Sequence, residues 1–461
     1  MNTQTVLTAM LPEHLLLLGI VALLVADLLA TRQVRGALVL SLGAVTAATL
    51  AALWLGLGGY QGTPFPGHYS VNATDLLAKA VVLALAVPVL LLSRDDFADM
   101  PFHVLLLSSL YGTCVLLSAD SFLTLFLGIE LMSLPVYALV LLAMRRPQSA
   151  EAALKYLVLG GTASATLLMG ASLLFGATGS LATAAFANAL GRSTALAQAG
   201  VVLVVAAFFV KAAIVPFHTW APDAYEGASA AVTAYMAAIV KAGIVLALVR
   251  LIGAQPLASP LADLVAVLAL ASIVWGNIAA IRQASFRRMI AYSSIAHAGY
   301  LFFALLGDPA GRFQAVAFYA LVYGLMNVLA FAALPHRDDD AAEDMLDNLR
   351  ALFARAPYAA VMMAVAMLSL AGIPPLPGFI AKFLVFRNVM AGGYMGYAVL
   401  GLVGSYLGIY FYLRVIQYMF MSTEGGAAGG RARRMALGAG LLCLLPAIAL
   451  TVLPGTFLAR L

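Results

Sequence analysis

A chain of 461 residues that is 64% hydrophobic and only 10% charged lies far from soluble domains, which carry about 25% charged residues. It therefore reads as a polytopic membrane protein. The net charge of +5 implies no nucleic-acid partner, because the arginines are scattered through short loops without a basic stripe. Cys114 and Cys443 both lie in apolar stretches, and no CxxC or Cys/His cluster accompanies them, which argues against iron–sulfur and structural zinc sites. No glycine-rich or P-loop pattern marks a nucleotide site.

Apolar runs of about 20 residues, the length that crosses a bilayer, fall near residues 10–30, 36–58, 72–93, 101–118, 120–144, 150–177 and 198–222. Others fall near 228–250, 261–281, 288–306, 312–334, 356–386, 394–420 and 435–456. The expected fold is all-α, with about 14 transmembrane helices in a single membrane domain over residues 1–461. The first run lacks a basic flank, so it reads as a retained helix and not a cleaved signal. The one sizeable polar connection, 335–355, is too short for an extramembrane domain. Loops after odd-numbered helices hold 14 arginines, among them Arg145, Arg146, Arg282 and Arg287, and the opposite loops hold 5. By the positive-inside rule the odd-helix loops face the cytoplasm and both termini lie outside.

Two spans are interrupted. The seventh reads VKAAIVPFHTWAPDAYEGA, with Pro216 and Pro222, and the twelfth reads LAGIPPLPGFIAKF, with Pro374, Pro375, Pro377 and Gly378. Proline removes a backbone donor and breaks the helix, and broken backbone at membrane depth is tolerated only inside protein or beside water. The breaks lie five spans apart. An odd repeat starts its second copy on the opposite face, so the pattern predicts two inverted five-helix repeats, helices 4–8 (101–250) and 9–13 (261–420). Residues 1–100 then carry helices 1–3, and 435–456 carries helix 14.

All five lysines, Lys79, Lys155, Lys211, Lys241 and Lys382, sit in hydrophobic stretches. A charge at mid-bilayer costs roughly 3 kcal/mol on insertion scales, and a buried lysine, unlike arginine, can give up its proton. Glu130 reads as the only carboxylate deep within a span, and it is expected to face Lys211 on the broken helix. Lys241 is mid-span with no acid within four residues, and Lys382 follows the triple-proline break, again without a local acid. Lys155 and Lys79 each have an acid four residues earlier, Glu151 and Asp75, the favourable helical spacing for an ion pair, but Lys155, near a membrane edge, stays among the proton-relay candidates. His218 sits in the seventh-span break, where its ordinary titration range suits proton passage; His297 is a weaker candidate of the same kind. The helix-13 tyrosines, Tyr406, Tyr410, Tyr412 and Tyr418, read as interfacial or packing residues, and Gly160, Gly161, Ser164 and Gly170 read as sites of close helix approach. Spacing alone thus yields a lateral axis of ionisable groups with one half-site per repeat, and nothing visible in the chain to power it.

Four stretches carry a family resemblance: LGIELMSLPVYALVLL with Glu130, the run from SAEAALKYLVLGG with Lys155, VKAAIVPFHTWAPDAYEGA with Lys211 and His218, and SLAGIPPLPGFIAKF with Lys382. Over nearly its whole length the chain resembles the antiporter-like membrane subunits of respiratory complex I, NADH:quinone oxidoreductase, and most closely the subunit N family. The resemblance implies a proton conduit in which Glu130 modulates Lys211, Lys241 is the central relay lysine and Lys382 serves the exit half-channel. Lysine at 382 favours subunit N over subunit M, where a glutamate is expected. It also implies a bacterial inner-membrane location, other membrane subunits as partners, and NADH, FMN, iron–sulfur and quinone sites in partner subunits, with no metal or cofactor held by this chain. A subunit of a multi-subunit cation/proton antiporter, and a structural membrane anchor, are the competing readings.

Overall fold

The computed structural model describes residues 3–29, 36–94, 97, 100–142, 147–190, 194–257, 259–335, 344–421 and 434–460. The arginine-rich stretches 30–35, 143–146 and 422–433, and the acidic run 336–343, lie outside the described residues. Thirteen described helices are long and apolar enough to cross a membrane. The first six are α1 (Leu11–Leu29), α2 (Ala37–Leu57), α3 (Ala73–Ser93), α4 (Met100–Leu117), α5 (Phe122–Leu141) and α6 (Pro147–Thr178). A short antiparallel hairpin, β1 (Gly62–Phe65) and β2 (Tyr69–Val71), joins α2 to α3. The seventh span is α7a (Ala195–Ala212) and α7b (Trp220–Gly227), followed by α8 (Ala230–Ile252), α9 (Ser259–Ile281), α10 (Phe286–Phe303) and α11 (Pro309–Ala332). The twelfth is again split, α12a (Pro357–Ala371) and α12b (Pro377–Ala391), and α13 (Met395–Met421) and α14 (Arg434–Val452) complete the chain.

Burial orders these helices. The apolar window of α8 is wholly buried within the chain and those of α10 and α11 are 94% buried, against 28% for α1 and 33% for α14. The middle of the molecule is therefore α8, α10 and α11, with α3 beside them.

The two interruptions end in the same way. Ala213 (φ 60°) caps α7a in the left-handed region and Gly372 (φ 85°) caps α12a, and a proline stretch follows each. The backbone groups so freed are satisfied by side chains: Ser272 accepts from Val215 N–H at 2.9 Å, Trp220 donates to the Val210 carbonyl at 2.9 Å, and Ser369 accepts from Gly378 N–H at 3.0 Å.

Other pairs recur in step. Ser121 caps α5 and Ser285 caps α10, each accepting from the backbone three residues on. Ser121 bridges to Ala182 after α6, as Ser285 bridges to Met345 after α11. Gly112 lets α4 lie against the α5 backbone at Met132, and Gly276 lets α9 lie against the α10 backbone at Ala296. Gly112 to Gly276, Ser121 to Ser285 and Met132 to Ala296 are equal steps along the chain. Because the copies begin an odd number of spans apart, they run in opposite senses across the bilayer.

Candidate proton-relay site

On α5, Glu130, Ser133 and Tyr137 fall on one helical face and meet Lys211 in the last turn of α7a. The Lys211 ammonium lies 3.7 Å from Glu130 and donates to Ser133 Oγ and Tyr137 Oη, each at 3.3 Å. Lys211 is almost wholly buried, whereas the Glu130 side chain keeps 21% of its exposure. Ser164 on α6 donates to the same carboxylate. This is the pairing expected from sequence, and the cation also sits where a helix C-terminus favours positive charge.

Lys241 opens the second half of α8, directly after a π-helical turn at Met236–Val240. Its ammonium donates to the Ser294 carbonyl at 2.6 Å and to the Ser294 hydroxyl, which in turn pairs with Tyr225 of α7b at 3.1 Å. Next to Ser294, the Ser293 hydroxyl lies 2.5 Å from Tyr412 Oη on α13. Tyr412 reaches His297 Nε2 at 3.0 Å, and His297 Nδ1 meets Tyr319 of α11 at 2.7 Å. The His297 ring stands edge-on to Tyr300 at 5.6 Å, and the Lys382 ammonium lies over that same Tyr300 ring at 5.0 Å. Lys382 donates to the last carbonyl of α12a, Ala371, at 2.9 Å and to Ser405 of α13 at 3.1 Å. A small cavity lined by His297, Tyr319, Tyr323, Ser369, Gly378 and Ala381 opens beside the α12 break. Between the Lys211 and Lys241 groups the contacts are aromatic: Tyr137 packs edge-on against Tyr156 at 4.6 Å, and Tyr156 stacks on Trp220 at 4.2 Å.

Three buried amines and a partly buried carboxylate thus stand in a line across both halves; hydroxyls and carbonyls bind the amines, and His297 joins Tyr412 to Tyr319. Among the described residues no group of three or more His, Cys, Asp or Glu is placed to hold a metal.

The family described as NADH:quinone oxidoreductase/Mrp antiporter, TM, matches residues 119–408, the stretch that carries this line from Glu130 to Ser405. The NADH-quinone oxidoreductase subunit N of Pelobacter propionicus is 38% identical over 419 residues, covering 90% of this chain and 89% of that protein. The chain belongs to the NADH-quinone oxidoreductase subunit N family. A chain of respiratory complex I from Thermus thermophilus, solved with bound aureothin, superposes with a TM-score of 0.83 at 34% identity over 97% of this chain and 98% of its own. A chain of the Mrp complex from Dietzia sp. has the same fold, with a TM-score of 0.83 at 22% identity over 98% of this chain and 96% of its own.

Other candidate residues of this family member lie off the buried line. Lys155 is half-exposed and pairs with Glu151 and with Asp223, each at 2.7 Å; Arg288 then binds Asp223 and Glu226, each at 2.8 Å. His218 lies at the periphery, where Trp275 of α9 donates to its Nε2 at 2.9 Å.

Several expectations need correction. Lys79 does not pair with Asp75: it binds Glu13 of α1 at 2.7 Å, with both side chains wholly buried, while Asp75 pairs with Arg250. Glu13 is wholly buried, but it lies in the first turn of α1 and not deep within the span as Glu130 does. Tyr412 is a hydrogen-bonding link as well as a packed, buried residue, whereas Tyr406 and Tyr410 are more than half exposed. Gly160 does admit a close neighbour, Tyr137 Oη, and Gly170 admits α7a, but Gly161 faces open space. Sequence reasoning passed over Ser294, Ser405, Tyr225 and Tyr319, because hydroxyls in apolar spans carry no charge to mark them.

Proposed function

We propose that this chain is a proton-translocating membrane subunit of a bacterial NADH:quinone oxidoreductase, in which electron transfer in partner subunits drives protonation changes along Glu130, Lys211, Lys241, His297 and Lys382. The supporting observation is the buried line itself, in which Lys241 and Lys382 are held by neutral acceptors and not by carboxylates. A hydroxyl accepts from an ammonium and donates to a neutral amine, so such an amine keeps its partner in either state. Lys211 differs. Its charge is stabilised by Glu130, and withdrawal of that carboxylate leaves a desolvated cation that sheds its proton.

The two repeats, 101–250 and 261–420, would each supply a half-site, with 1–100 and 435–456 packed around them. His218 and Lys155 would serve the approaches to the line and not its interior. NADH, FMN, the iron–sulfur clusters and quinone would reside in partner subunits. Carrying one proton against 100 mV costs about 2.3 kcal/mol, which that partner chemistry must supply. The membrane would be the bacterial inner membrane, with both termini outside. The antiporter reading is less favoured, because the Mrp chain is similar at 22% identity and the subunit N relative at 38%.

The test is purification of the assembled complex followed by Lys241→Ala. Peripheral flavin and iron–sulfur subunits should copurify, and the variant should pump far fewer protons per electron. Sodium transport without NADH dependence would favour the antiporter reading instead.

A further inference from the structure

Away from the central line, a second set of buried ionisable groups occupies the end of the molecule that carries the hairpin. The Lys79 ammonium of α3 lies 2.7 Å from Glu13 Oε1 of α1 and donates to Tyr69 Oη at 2.9 Å. Tyr69, on β2, donates to the same Glu13 oxygen at 2.6 Å. Glu13 and Lys79 have no exposed side-chain surface, and Tyr69 is 3% exposed. Burial and the adjacent Glu13 charge push the Tyr69 hydroxyl well above its ordinary range, so it stays protonated and can donate.

A fully buried ion pair is commonly no more stabilising than apolar packing of the same volume, so stability alone is a poor reason for this one. Its second oxygen, Glu13 Oε2, is buried without a hydrogen-bond partner. A buried orphan acceptor of this kind is a place for an ordered water or an added proton.

Two sides flank it. Inward, α4, whose Val115 packs in the same cluster as Tyr69, also carries the buried Cys114. Tyr235 is on α8 itself, just ahead of the π turn and Lys241, and donates to Ser109 of α4 at 2.8 Å. Outward, the hairpin cluster packs over it, with Tyr69 and Val71 against Ala9, Leu55, Leu76 and Val115. Also beside it are Tyr111 of α4, packed against the hairpin cluster, His14 next to Glu13 in the chain, and the Asp75–Arg250 pair that ties the end of α8 to α3.

We propose that Glu13, Tyr69 and Lys79 form a further proton-holding site on the hairpin side of the membrane, through which protons leave the Lys241 region. The step balances as a pure proton relay. The Lys79 N–H bond breaks as the Tyr69 oxygen gains a hydrogen, and the original Tyr69 O–H bond breaks as Glu13 gains one. The pair passes from ammonium and carboxylate to amine and carboxylic acid. This rests on the reading of the chain as a proton-pumping subunit.

The test compares Glu13→Gln, Lys79→Met and Tyr69→Phe in the assembled complex, reconstituted in vesicles, with Lys241→Ala as reference. The proposal expects a lower proton-to-electron ratio in each, and a carboxyl band in the NADH-induced infrared difference spectrum that Glu13→Gln removes. Tyr69→Phe keeps the ring in the hairpin cluster, so it decides the matter if either ion-pair variant fails to assemble. Full stoichiometry with an unchanged carboxyl band, while Lys241→Ala is impaired, overturns this proposal alone. Full stoichiometry in Lys241→Ala overturns the pumping reading beneath it.

Discussion

Lys241 and Lys211 differ mainly in what each is bonded to. The α5 position held by Glu130 corresponds, at the same step as the other repeat pairs, to Ser294 on α10. The carboxylate of the first copy therefore meets Lys211, and the hydroxyl at the matching position of the second copy meets Lys241, which itself lies in the first copy. A carboxylate accepts only, whereas a hydroxyl serves an amine in either protonation state. Ser294→Asp should accordingly hold Lys241 charged and depress proton pumping toward the level of Lys241→Ala in an assembled complex; pumping at the wild-type rate would contradict this. Tyr412→Phe strips one partner from His297 and another from Ser293. Leaving buried polar groups unpaired costs about 1–3 kcal/mol, so the thermal midpoint of the complex and its pumping rate should both fall.

Residue-scale legibility followed charge. A lone carboxylate in FLGIELM is visible, and so are lysines in apolar runs, which is why Glu130, Lys211, Lys241 and Lys382 stand out in the sequence. Lys79 was misassigned because helical spacing favours Asp75, but that pairing is worth only about 0.2–0.5 kcal/mol. Asp75 is instead turned toward the start of α3, where it forms a capping box with Asn72, accepting from Asn72 N–H at 3.0 Å, and it binds Arg250. Glu13 lies too far along the chain for any local rule to suggest it.

At the scale of elements, both breaks were legible because prolines announce them. Their common left-handed caps were only half so: Gly372 is an ordinary choice for φ above zero, whereas nothing about Ala213 signals it. The π turn before Lys241 lies in MAAIV, which has no marker residue, and such turns gather at functional sites. The close crossings of α4 on α5 and of α9 on α10 make a paired prediction. Gly112→Ala and Gly276→Ala each place a methyl group against the facing backbone, and overpacking of this kind costs about 1–3 kcal/mol. Assembled complex should be lost on heating at lower temperature in both variants. A large effect in one and none in the other would argue against equivalent repeats.

For the molecule as a whole, the buried middle formed by α8, α10 and α11 holds Lys241 and His297, and Glu130, Lys211 and Lys382 approach it from α5, α7a and α12b. Composition revealed the membrane class and the number of spans. It could not reveal which helices are central, because every span is similarly apolar and only packing separates them. On the proposed topology the hairpin lies outside and the α9–α10 turn inside. A membrane-impermeant thiol reagent should therefore label Thr63→Cys from the outer face and Ala284→Cys only from the inner one. The native Cys114 and Cys443 are buried and should stay unreactive. Labelling with the faces exchanged would invert the topology.

The central claim is that amines in the buried line release and regain protons, and do not merely hold fixed charge. Lys241→Arg tests it most directly, since arginine keeps the positive charge but effectively cannot be deprotonated. In assembled complex the proton-to-electron ratio of Lys241→Arg should fall as low as that of Lys241→Ala. A Lys241→Arg complex that pumps at the full ratio would contradict the account.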